Sequence, residues 1–343
     1  MKCLKSLTLS KFFIVIAVMF ILLSFSISSF AQMLNGAGAS FPYPLYSSWA
    51  AAYHKETGIQ INYQSIGSGG GIRQITERTV HFGASDLPLK PEELEKAGLI
   101  QFPAAIGGVV PIINVPEIKG KKITLDGITL AEIFLGEITK WNDPKIKALN
   151  PKINLPDQPI TVVHRSDGSG TTSIFTHYLS SVSKKWADQI GYGTSVNWKT
   201  GLGGKGNEGV ANYVKRTPYS IGYVEFAYAV QNRLDTAKMK NSAGQIVEAN
   251  FESFANAAAS AHLDAKNHFY AWMTNAPGKK AWPITGATYI LLAREKNDVN
   301  KSVIKFFDWA FKNGDNTAKK LDYVPLPQNV KDKIRAYWGL YIK

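Results

Sequence analysis

Arg165-Ser166-Asp167-Gly168-Ser169-Gly170-Thr171-Thr172 is the stretch on which the reading of this chain turns. It follows the β-branched run Ile160 to Val163, which predicts a strand. It precedes Ile174, Phe175, Tyr178, Leu179 and Val182, which recur at helical spacing. The stretch is therefore a strand-to-helix turn offering small residues, hydroxyls, backbone N–H groups and one guanidinium. The first N–H groups of a helix have no internal partner, and the macrodipole places partial positive charge there. Such a turn can receive an anion. Taken alone, it reads equally well as a capped helix start beside a surface arginine.

Similar junctions lie upstream. In Gly36-Ala37-Gly38-Ala39-Ser40-Phe41-Pro42, the proline suits a first helical turn and Ser40 suits an N-cap that needs no ligand. Leu45, Trp49, Ala52 and Tyr53 then mark a helical stripe that Gly58 would end. Ile59, Ile61 and Tyr63 alternate as a strand, and Gly67-Ser68-Gly69-Gly70-Gly71 leads into a helix carrying Ile72 and Ile75. These glycines let a backbone come close and expose N–H groups. They are not a dinucleotide fingerprint, since Ile72 stands where a third glycine is required. Phe82-Gly83-Ala84-Ser85-Asp86-Leu87-Pro88 closes another unit, in which Asp86 could simply hold a turn.

Downstream, Phe102 to Val115 reads as a crossover through Gly107-Gly108 followed by a buried strand from Val109. Thr129 to Ile138 is predicted helical, with Leu130, Ile133, Phe134 and Ile138 on one stripe. Pro151 to Pro159 is a loop. Gly201 to Asn207 invites a P-loop reading, but Gly206 follows Lys205 where Ser or Thr is needed. A shaped loop before a helix from Glu208 to Val214 fits better. Ser220 to Val224 and Tyr289 to Leu292 read as strands, and Val303 to Phe311 as an apolar-striped helix. Alternating strands and helices indicate an α/β fold with mainly parallel pairing.

The N-terminus is set apart from this pattern. Lys2, Lys5 and Lys11 precede an apolar run from Phe12 to about Phe25, then small residues up to Ala31. Residues 1–31 read as a secretory signal peptide cut after Ala31. Cleavage would leave 312 of the 343 residues and lower the formal charge from +13 to +10. The only cysteine, Cys3, would be lost, so export would proceed without a disulfide. The lysines are scattered, without a basic run, which argues against nucleic acid. The histidines, His54, His81, His164, His177, His262 and His268, make no metal-ligand spacing. There is no GxSxG elbow. Ser169 between glycines could mimic a nucleophile, but the sequence names no base for it.

Four stretches occur in order: Gly36 to Phe41, Gly67 to Gly71, Phe82 to Asp86 and Arg165 to Thr171. With Gly201 to Val210, Ile221 to Ala229, Trp282 to Thr285 and Phe306 to Phe311, they resemble the periplasmic phosphate-binding proteins of phosphate-specific ABC transporters. The resemblance spans essentially the whole mature chain. It implies an α/β, type II periplasmic binding protein, with two lobes of mixed, mainly parallel sheets and a ligand cleft between them. The first lobe is expected from residues 32–107 and 281–343, the second from 108–280. Carried over by motif, Ser40, Phe41, Ser68 and Asp86 would bind phosphate from the first lobe. Arg165, Ser169, Gly170 and Thr171 would bind from the second. Two departures stand out: Gly69 and Ser166 occupy positions where the family often has Ser and Ala. The implied partners are inorganic phosphate and the permease and ATPase of an ABC importer. The expected receptor is a periplasmic monomer without cofactor or metal, and not an enzyme.

Asp86 would supply selectivity. An ionised carboxylate only accepts hydrogen bonds. Phosphate near neutral pH still has a P–OH to give, whereas sulfate has none. Asp167, two residues from Arg165, is read either as its orienting partner or as a solvated turn residue. The rival readings are a secreted phosphatase using Ser169 and a receptor for another tetrahedral oxyanion.

Overall fold

The computed structural model describes residues 33–342, so the expected signal peptide lies outside the described residues. Twelve strands are described: β1 Met33–Gly38, β2 Gln60–Ser65, β3 Phe82–Ser85, β4 Leu99–Asn114, β5 Thr124–Leu125, β6 Thr161–Arg165, β7 Leu202–Gly204, β8 Ser220–Glu225, β9 Asp235–Thr236, β10 Lys238–Lys240, β11 Ile246–Val247 and β12 Thr285–Ala293. The main sheet runs β2-β1-β3-β12-β4-β8-β6-β7, with β9 also on β4. A small sheet, β11-β10-β5, lies apart from it.

The pairing is mixed. β1 lies parallel to β2 and β3 on one flank, and β6 lies parallel to β7 and β8 on the other. Between them, β12 and β4 run antiparallel to their neighbours. β4 joins the two flanks. Leu99 to Gly108 pair with β12, and Val109 to Asn114 pair with β8. Two lobes thus share one long strand. Fifteen of its 16 residues are buried, as is all of β12, which is the pattern of strands covered on both faces.

The sequence reading has a crossover from Phe102 to Gly108 and begins the strand only at Val109, since Pro103 and Gly107-Gly108 look like strand breakers; the structure instead has one strand from Leu99 to Asn114. The structure absorbs the proline at a register shift: Tyr289 pairs with Pro103 and Thr288 with Ala105, leaving Ala104 without a partner in the ladder. The glycine pair makes room for rings. A Cβ on Gly108 would lie 2.0 Å from the Phe254 ring, and one on Gly107 2.8 Å from that of Phe41. Both helices that flank the cleft motifs form for local reasons. Tyr43–Thr57 ends at Gly58 in a left-handed conformation and buries Leu45, Tyr46, Trp49 and Tyr53; Tyr46 is buried where the stripe had placed Ala52, which is exposed. Gly170–Val182 is capped by Ser169, which accepts from Thr172 N, and buries Ile174, Phe175, Tyr178 and Leu179. The helix expected over Thr129 to Ile138 instead spans Gly127–Phe134, because the Asp126 carboxylate caps its start through Thr129 N.

Candidate functional site

The C-terminal ends of β1, β2, β3, β6, β7 and β8 meet where the two flanks of the sheet approach each other. Ligands of open α/β sheets bind at this end of the strands. Ser40, Phe41, Ser68, Asp86, Arg165, Ser169 and Thr171 all lie here, each no more than 3% exposed. The turns of the two flanks touch directly. Gly69 N donates to Gly168 O at 2.9 Å, and Gly170 N donates to Ser68 Oγ at 3.0 Å.

The hydroxyls are oriented by proton counting. Ser68 Oγ accepts from both Asp86 N (3.1 Å) and Gly170 N (3.0 Å). A hydroxyl has two acceptor lone pairs and one proton, so the Ser68 proton remains available to a ligand. Ser40 Oγ is in the same state, accepting from Asn207 N at 3.1 Å and Asn207 Nδ2 at 2.9 Å. Ser40 is therefore not the N-cap the sequence suggested. Pro42 holds that position, without a side-chain cap, and the Ser40 hydroxyl turns across the cleft instead. Thr171 Oγ1 accepts from Asn207 Nδ2 at 3.1 Å. The Ser40 and Phe41 amides form no hydrogen bond to another described residue.

Arg165, the last residue of β6, is gripped by its neighbour. Nε and Nη2 donate to the two carboxylate oxygens of Asp167, at 2.8 and 2.5 Å. Gly206 N also donates to Asp167, at 3.0 Å. Burial works to raise the Asp167 pKa, but the Arg165 hydrogen bonds and charge and the Gly206 N–H outweigh it, and the carboxyl is held below its usual range. Of the two readings of Asp167, the orienting partner is the one observed. Nη1 of Arg165 is buried without a partner.

Asp86 stands opposite this donor set. Its carboxylate oxygens are both buried without a hydrogen-bond partner. Burial pushes its pKa up to about 7, opposed by the nearby Thr288 hydroxyl, the Arg165 charge and the Ser68 hydroxyl. Buried polar atoms are nearly always paired, so three orphan atoms on two facing residues mark a place for a ligand. A ligand placed there would meet many donors and one acceptor carboxylate.

A family model described as a PBP superfamily domain matches residues 27–313. The phosphate-binding protein PstS of Pasteurella multocida is 54% identical over 322 residues, covering 93% of this chain and 94% of that protein. Its counterpart in Haemophilus influenzae is 55% identical over 315 residues, covering 91% and 94%. The chain belongs to the PstS family of phosphate-binding proteins. Among solved structures, a phosphate-binding protein of Stenotrophomonas maltophilia shares the fold, with a TM-score of 0.65 at 21% identity over 89% of this chain and 94% of that one.

Every residue that the family resemblance assigned to the site falls at this convergence of strand ends. The sequence reading missed Asn207, the residue that ties Ser40 to Thr171. The signal was present, since Asn207 ends the glycine-rich loop set aside as a failed P-loop. It also missed Tyr63, Tyr228 and Tyr323, whose hydroxyls donate to the carbonyls of Ala39, Ser40 and Phe41 at 2.7, 2.7 and 2.6 Å. No local pattern marks a tyrosine that reaches a distant carbonyl.

Proposed function

We infer that this chain is a periplasmic receptor that binds inorganic phosphate and delivers it to the permease and ATPase of an ABC importer. Asp86 carries the reading: it is an acceptor without a partner, set among donors in a dry cleft. Phosphate can give its P–OH to Asp86 while its other oxygens accept from Ser40, Ser68, Thr171, Ser169, Arg165 Nη1 and the amides of Phe41 and Thr171. Gly170 takes no part through its amide, which is already given to Ser68, but its missing side chain leaves room for the approach. Sulfate would meet Asp86 as acceptor against acceptor. Membership of a family whose relatives are named phosphate-binding proteins supports the same ligand.

The first lobe comprises 32–107 and 281–343, and the second 108–280; the change of partner along β4 after Gly108 supports that border. The lobes hinge around the anion, and closure creates the surface that the permease reads. The leader ending at Ala31 supports export, and no helix among the described residues is long and apolar enough to cross a membrane. The receptor acts as a monomer, without a cofactor and without chemistry on its ligand. Ser169 is a poor nucleophile, because its Oγ caps a helix and His164 stacks on Trp198. Calorimetry tests the assignment on mature protein freed of carried-over ligand. Phosphate should titrate with one equivalent and sulfate should give no heat; absence of heat with phosphate would remove the reading. Turnover of a phosphate ester would overturn the non-enzymatic part.

A further inference from the structure

Glu225 ends β8, is fully buried and lies beside the anion site without a cation. Its Oε2 accepts from Ala227 N at 2.9 Å and lies 2.8 Å from the Tyr323 hydroxyl. That hydroxyl also lies 2.6 Å from the Phe41 carbonyl oxygen. Glu225 and Tyr323 sit on opposite sides of the closure, so this chain of oxygens crosses it.

The protons in this chain can be counted. A phenol has one proton and a carbonyl oxygen has none. With Glu225 ionised, Tyr323 could serve only one of its two neighbours, and the other contact would set lone pair against lone pair in a dry interior. Both contacts become hydrogen bonds only if Tyr323 donates to Phe41 and accepts from a protonated Glu225. We propose that Glu225 is a neutral carboxylic acid that gives its proton to Tyr323, so that Tyr323 can hold the Phe41 carbonyl and position the Ser40–Phe41 turn against the anion.

The surroundings agree. The titratable groups facing Glu225 are Asp86 after β3, Asp322 and Tyr323 in the C-terminal segment, and Tyr228 on the helix that Glu225 caps. Among the described residues no Lys, Arg or His pairs with it. Burial, first, and then the charges of Asp86 and Asp322 raise its pKa well above the usual range, against the Tyr323 and Ala227 hydrogen bonds. A second carboxylate here would also place negative charge beside an anion pocket that already contains Asp86. With Tyr63 on Ala39 and Tyr228 on Ser40, the Tyr323 bond completes a set of three successive carbonyls each held by a tyrosine hydroxyl. Each peptide is planar and trans, so holding the Ala39 and Ser40 carbonyls fixes the opposed N–H groups of Ser40 and Phe41. Glu225 is thus a positioning residue that does not touch the ligand.

The role in binding rests on the phosphate-site reading; the protonation state does not. Infrared difference spectra of the mature protein at about pH 8, far above an ordinary carboxyl pKa, decide the proton. Wild type should show the carbonyl stretch of a protonated carboxyl that disappears in Glu225→Gln and persists in Asp86→Asn. Absence of that band in wild type overturns the proposal, whether or not phosphate binds. Binding then tests the relay. Tyr323→Phe, which frees the Phe41 carbonyl, should weaken phosphate by about ten-fold or more, and Glu225→Ala should cost less, since Tyr323 then keeps its proton for Phe41. The double variant should be no weaker than Tyr323→Phe alone, because both act on one connected network. Independent, additive losses would overturn the relay. A wild type that fails to retain phosphate would instead refute the receptor reading, while the infrared band still decides the proton on Glu225.

Discussion

Asp86 has the two properties that a selective acceptor requires: burial, and carboxylate oxygens that make no hydrogen bond of good geometry even though the Thr288 and Ser68 hydroxyls lie near. Asp86→Asn replaces one acceptor oxygen by a donor of similar shape. The variant should bind sulfate, and the preference for phosphate, which an unpaired acceptor can set at ~10⁴-fold, should fall by about 10²-fold or more. Competition calorimetry with the two anions checks this, and an unchanged ratio removes Asp86 from selectivity. The same burial predicts a stability change. The Asp86 pKa rises from 3.8 to about 7 on folding, so between those values the folded protein holds more protons than the unfolded one. Stability contributed by this group is therefore greatest below about pH 4, is lost as pH rises to about 7, and is flat above. At about 1.36 kcal/mol per pH unit, the window corresponds to roughly 4 kcal/mol. Phosphate-free Asp86→Asn should lack this loss, and urea unfolding at a series of pH values would show parallel curves for both proteins if Asp86 ionised normally. Arg165 was suggested by its strand-to-helix turn, and Asp86 came into the candidate site only through the family resemblance, since its own motif reads as well as a turn. Asn207 and the three tyrosines were not legible, because their partners lie far away in sequence and nothing local records the approach.

At the level of elements, the site is a set of strand ends whose turns must come within backbone distance of one another. Glycine is demanded by contact rather than by dihedral at Gly170. A Cβ there would lie 2.4 Å from Ser68 Oγ, 2.6 Å from Asp86 Cβ and 2.7 Å from Asp86 N, all across the closure. Gly170→Ala should therefore leave the phosphate-free protein with its thermal midpoint nearly unchanged and cut phosphate affinity by about 10²-fold, the loss of roughly 3 kcal/mol of closure. Calorimetry beside a thermal melt separates the two effects; affinity within a few-fold of wild type would mean that the lobes do not meet at this residue. The glycine turns at Gly67 and Gly168 were visible from composition alone, since each is a run of small residues after an alternating or β-branched segment. The length of β4 was not, because Pro103 is tolerated only through a register shift that β12 supplies. The Ser40 cap failed for a related reason: two donors from Asn207 hold its hydroxyl across the cleft, so the local preference gives way to a tertiary one.

On the scale of the whole molecule, the proposed closure and the orientation of the ligand would be one event. The Ser40 and Ser68 hydroxyls accept from Asn207 and Gly170, which lie in the other proposed lobe, and this leaves each hydroxyl proton free for the proposed anion. No stretch of sequence could reveal this, since it exists only when both lobes are in contact; the two-lobed plan itself came from the family resemblance and not from residue spacing. Asn207→Asp probes the coupling with little change of shape. Its remaining oxygen still accepts from Glu225 N, which the asparagine does at 2.9 Å, so the second lobe keeps that support. The other oxygen replaces the amide that donates to Ser40 and Thr171. An acceptor there would draw both hydroxyl protons toward itself and away from the anion, and would add a negative charge to an anion pocket. Phosphate affinity should drop by at least about 10²-fold, since a buried pairing is reversed and not merely lost. Small-angle scattering should show wild type contracting when phosphate is added and the variant keeping its extended form at the same concentration. A variant that contracts and binds as wild type does would mean that the serine and threonine protons are oriented by the ligand alone, and closure would then contribute enclosure without orientation.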